Sequence, residues 1–360
     1  MGDSIRKLAS VQKILALDPI EGADRIEVAT ILGWKVVVGK GTYKVGDLCV
    51  YFEIDSVLPE NILRAANLWD EEKGKGKLSG SNGNRLKTVK LRGQISQGLT
   101  IPYSVLGLRP YHDGSGVIKD FEVEGEDLTE VLKIEKYEPP IPAELAGVCK
   151  GTFPGFLIKT DSHRLQAAPG LIEEMQGVPC YATVKMDGTS STFYNRFLET
   201  ENEFGVCSRN MDLCESDTNM YWRMARKYDL VEKMGMSNMA IQAETFGPGI
   251  QGNKMGAEEV QMAVFDMFHI IDYRYVDWGD LKGFCELLEL PLVEPVYEGS
   301  FEWKSVDELI EFASGIKYSN GAAAEGIVIR PQVEMRSKSL DGGRMAFKVI
   351  SPEFLAKNKE

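Results

Sequence analysis

Five short apolar segments in the second half of the chain, each interrupted by one or two charged residues, constrain its fold most. A charge inside an apolar strand is costly unless it faces a cation, a metal ion or a hydrogen-bond donor. We therefore expect strands whose charged side chains meet in one pocket, in a mixed domain of antiparallel sheets and helices. The segments are Tyr181–Ser190, Ile241–Gly247, Val264–Phe268, Glu325–Arg330 and Met345–Ile350.

The first hundred residues predict a different architecture. Ile26–Leu32, Trp34–Val38 and Leu48–Ile54 are apolar, largely β-branched runs separated by turn residues, which is typical of a small β-barrel. A length of 360 residues suits about two domains. The proline-rich run at 139–142 predicts an extended connector. The predicted fold is α+β, with domains at 1–140 and 145–360.

The charge of the chain is unevenly distributed. The net charge is −13, which argues against a nucleic-acid partner because phosphates are neutralised by Lys and Arg. Residues 74–98, however, contain six cations and no acid. A solvated loop explains residues 74–84, but not the alternating run at 87–92. Lys87, Lys90 and Arg92 are therefore the candidate contacts to a nucleic acid.

The cysteine and histidine content argues against a Cys/His zinc site. The six cysteines form no C-x-x-C pair, and the chain has three histidines. We expect free thiols and a reducing, cytoplasmic location. The N-terminus has no apolar leader, and no apolar run reaches 18 residues, so neither secretion nor a membrane partner is expected.

Two helical patterns and one misleading motif complete the second half. Met220–Met234 and Asp280–Leu290 have helical apolar spacing, and Ser305 is a predicted N-cap for Val306–Gly315. Gly247–Gly252 fits G-x-G-x-x-G, but the chain returns to a strand with no long helix after it. We interpret it as a turn beside a pocket rather than a dinucleotide site.

The most informative segment surrounds Lys185. On a strand, the period of two places Thr183, Lys185 and Asp187 on one face, and Gly188 then turns the chain. Taken alone, K-x-D-G also describes an ordinary surface ion pair.

The order of the motifs carries a resemblance. K-x-D-G-x-S, E-x-F-G, F-D, E-G-I-V-I-R and F-K together resemble the motif series of covalent nucleotidyltransferases: ATP-dependent DNA and RNA ligases and mRNA capping enzymes. Lys159-Thr160-Asp161, with Arg164 and Gln166, looks like the segment that precedes the nucleophile in RNA ligases. Gly22–Ala29 and Leu91–Gly98 resemble OB-type tRNA-binding modules. The whole is similar to RNA ligases with an N-terminal OB-like domain.

The resemblance implies a reaction in three steps. Lys185 attacks the α-phosphate of ATP, AMP passes to an RNA 5′-phosphate, and a 3′-hydroxyl displaces AMP. A free lysine has a pKa of about 10.4, so such a nucleophile needs desolvation or nearby positive charge. Mg²⁺ or Mn²⁺ is the implied cofactor.

The resemblance also implies roles for the other site residues. Lys348 and Glu325 join Lys185 as catalytic groups. Asp187, Glu244 and Glu325 are the implied metal-holding carboxylates, acting through water. The implied ATP contacts are Val184, Ser190, Arg209, Glu244, Phe265 and Lys348. Phe265 is expected to stack on adenine, with an ordinary core role as the alternative. Arg209 is expected to contact ribose or the RNA 5′-phosphate.

Several alternatives stay open at this point. Many relatives carry a second lysine at the position of Ala346, so either Arg344 replaces it or one lysine suffices. A DNA ligase or a capping guanylyltransferase shares these motifs, but the OB-like segment here precedes them, which favours an RNA ligase. A non-catalytic RNA-binding protein is the third hypothesis. The expected partner is RNA with 3′-hydroxyl and 5′-phosphate ends, possibly in a nicked duplex, bound by a monomer in RNA repair.

Overall fold

The protein is described by a computed structural model that covers residues 6–106, 111–112, 118–119, 123–137, 149–198 and 201–357. The chain forms two compact units. The first is Met1–Pro139 with Gln166–Pro169 and Leu355–Glu360, and the second is Pro140–Leu165 with Gly170–Phe354. The proline-rich connector at 139–142 lies outside the described residues. Within them, no helix combines the length and apolar character needed to cross a membrane.

Short antiparallel strands build the first unit. They form two three-stranded sheets, β1-β5-β11 and β2-β3-β4, and four strand pairs, β9-β10, β12-β13, β6-β14 and β7-β8, which do not join into one closed hydrogen-bonded barrel among the described residues. The elements are β1 (Ala9–Lys13), β2 (Ala16–Pro19), β3 (Ile26–Ile31), β4 (Trp34–Gly39), β5 (Leu48–Phe52), β6 (Ser56–Val57), α1 (Glu60–Ala65), β7 (Trp69–Asp70), β8 (Lys75–Gly76), β9 (Thr88–Leu91), β10 (Gln94–Gln97), β11 (Leu99–Pro102), β12 (Tyr111–His112), β13 (Ile118–Lys119) and β14 (Glu135–Lys136).

Strand β5 lies between two apolar clusters of this unit. Val50 and Phe52 face one cluster, while Cys49 and Tyr51 face the other. Both faces of the strand are therefore buried, which explains why its sequence is continuously apolar rather than alternating. The three strand segments predicted for the first hundred residues are confirmed.

Two larger sheets and most of the helices form the second unit. The sheet orders are β15-β20-β19-β18-β21-β22-β23 and β16-β26-β25-β17-β24, and every pairing is antiparallel except β16 with β26. The elements are β15 (Cys149–Thr152), β16 (His163–Arg164), α2 (Leu171–Met175), β17 (Pro179–Lys185), β18 (Thr189–Leu198), β19 (Glu201–Cys207), β20 (Met211–Leu213), α3 (Met220–Lys227), α4 (Leu230–Met234), β21 (Met239–Phe246), β22 (Gln261–His269), β23 (Arg274–Tyr275), α5 (Trp278–Leu287), β24 (Pro295–Ser300), α6 (Val306–Gly315), β25 (Gly326–Pro331), β26 (Phe347–Ile350) and α7 (Pro352–Lys357).

The predicted helices are present, with one interruption. The pattern at 220–234 forms two helices, α3 and α4, because Asp229 adopts a left-handed conformation between them (φ 53°). The Ser305 hydroxyl accepts a hydrogen bond from the Glu308 amide and caps α6, as predicted. Helices α3, α4 and α5 pack with strands of the seven-stranded sheet in the main core of this unit.

Candidate active site

Lys185 and Glu325 are brought together by strand register. Lys185 ends β17 and pairs with Gly326 at the start of β25. The Lys185 Nζ atom consequently lies 2.6 Å from Glu325 Oε2. Tyr318 connects the same two residues, since its hydroxyl donates to the Lys185 carbonyl and accepts from the Glu325 amide, both at 3.1 Å. The Lys185–Glu325 contact is therefore held in place through both strands.

Gly188 and Gly326 each allow two backbone segments to approach closely next to the Lys185 site. A Cβ atom on Gly326 would lie 2.1 Å from the Val349 carbonyl oxygen, and one on Gly188 would lie 2.4 Å from that of Thr245. Any side chain would push these strands apart. The glycines of the K-x-D-G and E-G motifs therefore have a steric role.

Asp187 is a buried carboxylate paired with a lysine. Its side chain is 5 % exposed, and the ammonium of Lys254 lies 2.5 Å from its Oδ2 atom. That oxygen accepts no well-aligned hydrogen bond among the described residues. Burial raises the pKa of Asp187, Lys254 opposes the shift, and the charge of Glu325 adds to it.

Glu244 completes the group of carboxylates. It lies on β21 opposite Ser190 of β18. Burial raises its pKa to about 7; Lys185 opposes the shift, Glu325 adds to it, and Arg209 and the Gly188 amide oppose it further. Asp187, Glu244 and Glu325 therefore interact electrostatically around Lys185.

The three carboxylates fit a hydrated divalent cation better than a directly bound one. The described residues include no group of three or more Asp, Glu, His or Cys side chains close enough to hold a metal directly. Mg²⁺ keeps several waters in protein sites, and carboxylate oxygens are hydrogen-bond acceptors for those waters. The donor set is hard oxygen, as the chemistry of Mg²⁺ and Mn²⁺ requires.

The segment that precedes the nucleophile is bonded to the same side of the site. The hydroxyls of Thr160 and Ser190 are 2.7 Å apart. Arg209 donates to Asp161 at 2.7 Å, and Lys159 donates to the Asn210 side-chain oxygen at 3.1 Å. Ser190 and Arg209 are thus placed beside the 159–161 segment. Gln166 belongs to the first unit, where its carbonyl accepts from the Gly33 amide.

Lys348 lies on the same sheet face as Lys185. Lys348 pairs with Val328, and Val328 pairs with Thr183. Since Thr183 and Lys185 are two residues apart on one strand, the side chains of Lys348 and Lys185 leave the sheet on one side. Lys348 is half-buried.

Phe265 and Val184 differ in how their side chains relate to the Lys185 site. Phe265 is the extra residue of a β-bulge, since Gln242 pairs with Asp266 and Ala243 with Val264. A bulge redirects its side chain, and Phe265 is half-exposed, as a base-stacking ring must be. Val184 packs with Tyr318 on the opposite side of the sheet from Lys185, so contact with a nucleotide is open only to its backbone.

Comparison with known proteins identifies the family. A model of the RNA ligase family matches residues 178–350, and a model of an OB-fold domain matches residues 8–103. A mutant Naegleria gruberi RNA ligase solved with AMP and Mn is 32% identical, with a TM-score of 0.82, and the match covers 98% of this chain and 99% of that chain. The chain belongs to the RNA ligase family.

Other structures of the same relative agree. Naegleria gruberi RNA ligase with PPi is 33% identical with a TM-score of 0.81, and a mutant with ATP and Mn is 32% identical with the same TM-score. Each match covers 98% of this chain and 99% of that chain. No curated protein sequence matches. The predicted RNA ligase architecture, an N-terminal OB-like domain before a nucleotidyltransferase domain, is confirmed.

Not every strand charge of this RNA ligase converges on the Lys185 site. Asp266 accepts from Arg330 at 3.1 Å and from both terminal nitrogens of Arg344 at 2.7 and 2.8 Å. Burial alone would raise the pKa of Asp266, but the two guanidinium groups more than offset it and lower that pKa. The expectation of one common pocket is wrong for Asp266 and Arg330, because these two residues pair with each other, and Asp266 also with Arg344, in a second buried cluster.

Arg344 is fully engaged in that cluster. Besides Asp266, it donates to Glu334 at 2.6 and 2.8 Å and lies 3.5 Å from the centroid of the Tyr275 ring. These contacts speak against the alternative in which Arg344 replaces the missing second lysine.

The basic run of the first unit forms a hairpin. Strands β9 and β10 are joined by Arg92 and Gly93, both with positive φ (51° and 84°). Lys90 and Arg92 are exposed and Lys87 is half-buried. Arg85, in contrast, is buried, paired with Asp55 at 3.0 Å, and lies 3.6 Å from the Tyr137 ring centroid. The charge of residues 74–98 available to a partner is therefore smaller than the sequence count.

Two residues of the site, Tyr318 and Lys254, are not indicated by the sequence motifs. Tyr318 lies in a short bridged turn, and Lys254 ends the glycine-rich loop that the sequence predicts to be a turn. Neither belongs to a strand motif. The one feature of the sequence that could have indicated Lys254 is that its loop directly follows the E-x-F-G motif.

Proposed function

We propose that this chain is an ATP-dependent RNA ligase that joins 3′-hydroxyl and 5′-phosphate RNA ends through lysyl-AMP and RNA-adenylate intermediates. The observation that carries the proposal is the contact of Lys185 with Glu325 at 2.6 Å, with Asp187 and Glu244 beside it. The Naegleria gruberi relative was solved with AMP, ATP, PPi and Mn, which supports the same nucleotide and metal here.

In the first step, the Lys185 amine forms a bond to the α-phosphorus of ATP, and the bond to pyrophosphate breaks. The ion pair with Glu325 favours the protonated amine, so before attack the proton passes to the Glu325 carboxylate, whose Oε2 atom is 2.6 Å away. A divalent cation, when bound, supplies positive charge that favours the neutral amine and offsets the phosphates. Lys348, on the same sheet face, holds the α-phosphate oxygens as charge develops, which its strand register supports.

The nucleotide and the RNA end are held by the residues around this centre. Phe265 stacks on adenine, Ser190 and Glu244 hold the ribose, and Arg209 contacts ribose or the RNA 5′-phosphate. In the second step the 5′-phosphate oxygen attacks the α-phosphorus and the bond to Lys185 breaks. In the third step the 3′-hydroxyl oxygen bonds to the 5′-phosphorus, its proton passes to solvent, and AMP leaves.

The RNA itself is engaged by the first unit through the β9-β10 hairpin. Its exposed Lys90 and Arg92, with Lys87, offer cations to phosphates in an otherwise acidic protein. We further propose that the enzyme is a monomer and that it repairs nicked RNA in a reducing cytoplasm. None of the six cysteines, all of which lie among the described residues, forms a disulfide, which supports the reducing location.

A sealing assay on nicked duplexes, with RNA or DNA on each side of the nick, tests the substrate. The proposal expects ATP-dependent sealing when RNA supplies the 3′-hydroxyl end, and none by Lys185→Met. Sealing of DNA ends alone, or label transfer from GTP rather than ATP, would support the DNA ligase or capping alternative instead.

A further inference from the structure

The loop that follows β21 places Lys254 at the site with a fixed backbone. Asn253 donates to and accepts from the backbone of Ala257 at 2.9 and 3.0 Å, which fixes the turn. Asn320 donates to the Lys254 carbonyl at 3.0 Å. The backbone around Lys254 is therefore restrained both by the 253–257 turn and by the Asn320 hydrogen bond.

The side chain of Lys254 is also held at its charged end. Its Nζ atom lies 2.5 Å from Asp187 Oδ2 and 4.7 Å from the centroid of the Phe354 ring. The side chain is 28% exposed, whereas that of Asp187 is 5% exposed. An aromatic face and a buried carboxylate together favour a cation at this point.

Asp187 thus has two competing cationic partners under the proposed function. It is one of the carboxylates that would hold the hydrated metal, yet the protein's own ammonium already neutralises it. An ammonium and a divalent ion at one carboxylate repel each other, and the partly buried setting screens that repulsion poorly.

We propose that Lys254 is a positioning residue that competes with the divalent metal for Asp187 and so sets the metal concentration that lysyl-AMP formation requires. The proposal rests on the proposed function only in giving Asp187 a metal-holding role. Lys254 orients the carboxylate, and metal entry displaces the ammonium from it. Removal of Lys254 must then strengthen metal binding.

The test measures Mn²⁺ binding to the full-length, nucleotide-free protein, from the electron paramagnetic resonance signal of free Mn²⁺. Lys254→Met is expected to bind Mn²⁺ about fivefold or more tightly than the wild type. Lys254→Arg, which keeps the cation, is expected to match the wild type. Lys282→Met is the matched control, because Lys282 also pairs with a carboxylate (Glu298, 2.9 Å) and an aromatic ring (Trp278, 5.1 Å) away from the site.

A second readout is the Mn²⁺ concentration for half-maximal lysyl-AMP formation, which is expected to fall in Lys254→Met by the same factor. Equal or weaker Mn²⁺ binding by Lys254→Met overturns the inference. Lys254→Gln replaces the methionine variant if thermal unfolding shows that it does not fold. A wild type that binds Mn²⁺ but takes no label from ATP overturns the proposed function instead, and leaves the comparison of affinities intact.

Discussion

The Lys185 ammonium lies 2.6 Å from the Glu325 carboxylate because the pairing of Lys185 with Gly326 puts the two side chains at the same end of adjacent strands. Glu325 is 5% exposed, so the pair is shielded from solvent at one side. This contact joins two motifs separated by about 140 residues in the chain. Two strands that each contribute one charged residue to this end of the sheet thus form the centre of the proposed active site.

Replacement of Glu325 should slow the chemistry without unfolding the protein. Glu325→Gln keeps the shape but removes the carboxylate that accepts the proton from Lys185, so lysyl-AMP formation is expected to slow by about 10²-fold or more. The rate of label transfer from α-labelled ATP checks this. Glu298→Gln, an exposed acid on β24, is the control, and equal rates for both variants would contradict a role for Glu325.

The raised pKa of Glu244, about 7, predicts a pH-dependent stability. Between pH 4.5 and 7 the folded protein holds a proton on Glu244 that the unfolded chain has released. The free energy of unfolding therefore falls as the pH rises through this window. Glu244→Gln removes that dependence, so its stability relative to wild type should grow by on the order of 2 kcal/mol from pH 4.5 to pH 8. Parallel pH dependence of the two unfolding curves would disagree with a raised pKa of Glu244.

Gly326→Ala should destabilise the second unit. Its Cβ would lie 2.1 Å from the Val349 carbonyl oxygen, and separating β25 from β26 is expected to cost about 3 kcal/mol. Gly283→Ala is the matched control, because Gly283 lies in α5 with open space around it and should gain about 1 kcal/mol. Urea unfolding of the two variants measures both changes. A stable Gly326→Ala protein would mean that the strands tolerate separation here.

Arg344→Met should affect stability rather than nucleotide chemistry. It leaves the buried carboxylate of Asp266 with one of its two cations, so the expected loss is about 3 kcal/mol. Adding Asp266→Asn should restore part of the loss, since the unpaired charge is then gone. Lysyl-AMP formation at a temperature where the variant is folded should stay near the wild-type level. A specific defect in that step would revive Arg344 as the second phosphate-binding cation.

The β9-β10 hairpin should separate sealing from adenylylation. Replacing Lys90 and Arg92 with alanine is expected to weaken RNA binding and to lower its salt dependence, by about 0.7 to 0.9 in log–log slope for each phosphate that is no longer neutralised. Lysyl-AMP formation should be unchanged. Lys73→Ala, another exposed lysine of the first unit, is the control. Equal loss of sealing and adenylylation would argue against this division of labour.

The strand segments and the motif residues are predictable from the sequence because their signal is local. Period-two alternation places Thr183 and Lys185 on one face, although β17 ends at Lys185 and Asp187 lies beyond the strand. The charge in each apolar strand predicts a partner for it. The physical rule also holds for Asp266, which does have cationic partners. The sequence does not tell which partners, because Arg330 and Arg344 come from strands and loops about 60 and 80 residues away.

The contacts of Lys254 and Tyr318 are beyond sequence reasoning for a related reason. Both residues come from irregular segments, where no periodicity fixes the direction of a side chain. Backbone turns with positive φ at Gly252 and Gly256 set the path that carries Lys254 to Asp187. Such positions follow from tertiary packing alone.

Mapping the adenylyl group on the intact protein tests the central claim most directly. After incubation with ATP and Mn²⁺, peptide mass spectrometry should find one adenylyl group on the peptide that contains Lys185, and none in Lys185→Met. Adenylylation at another residue, or a folded wild-type protein with no adenylyl group, would contradict the account.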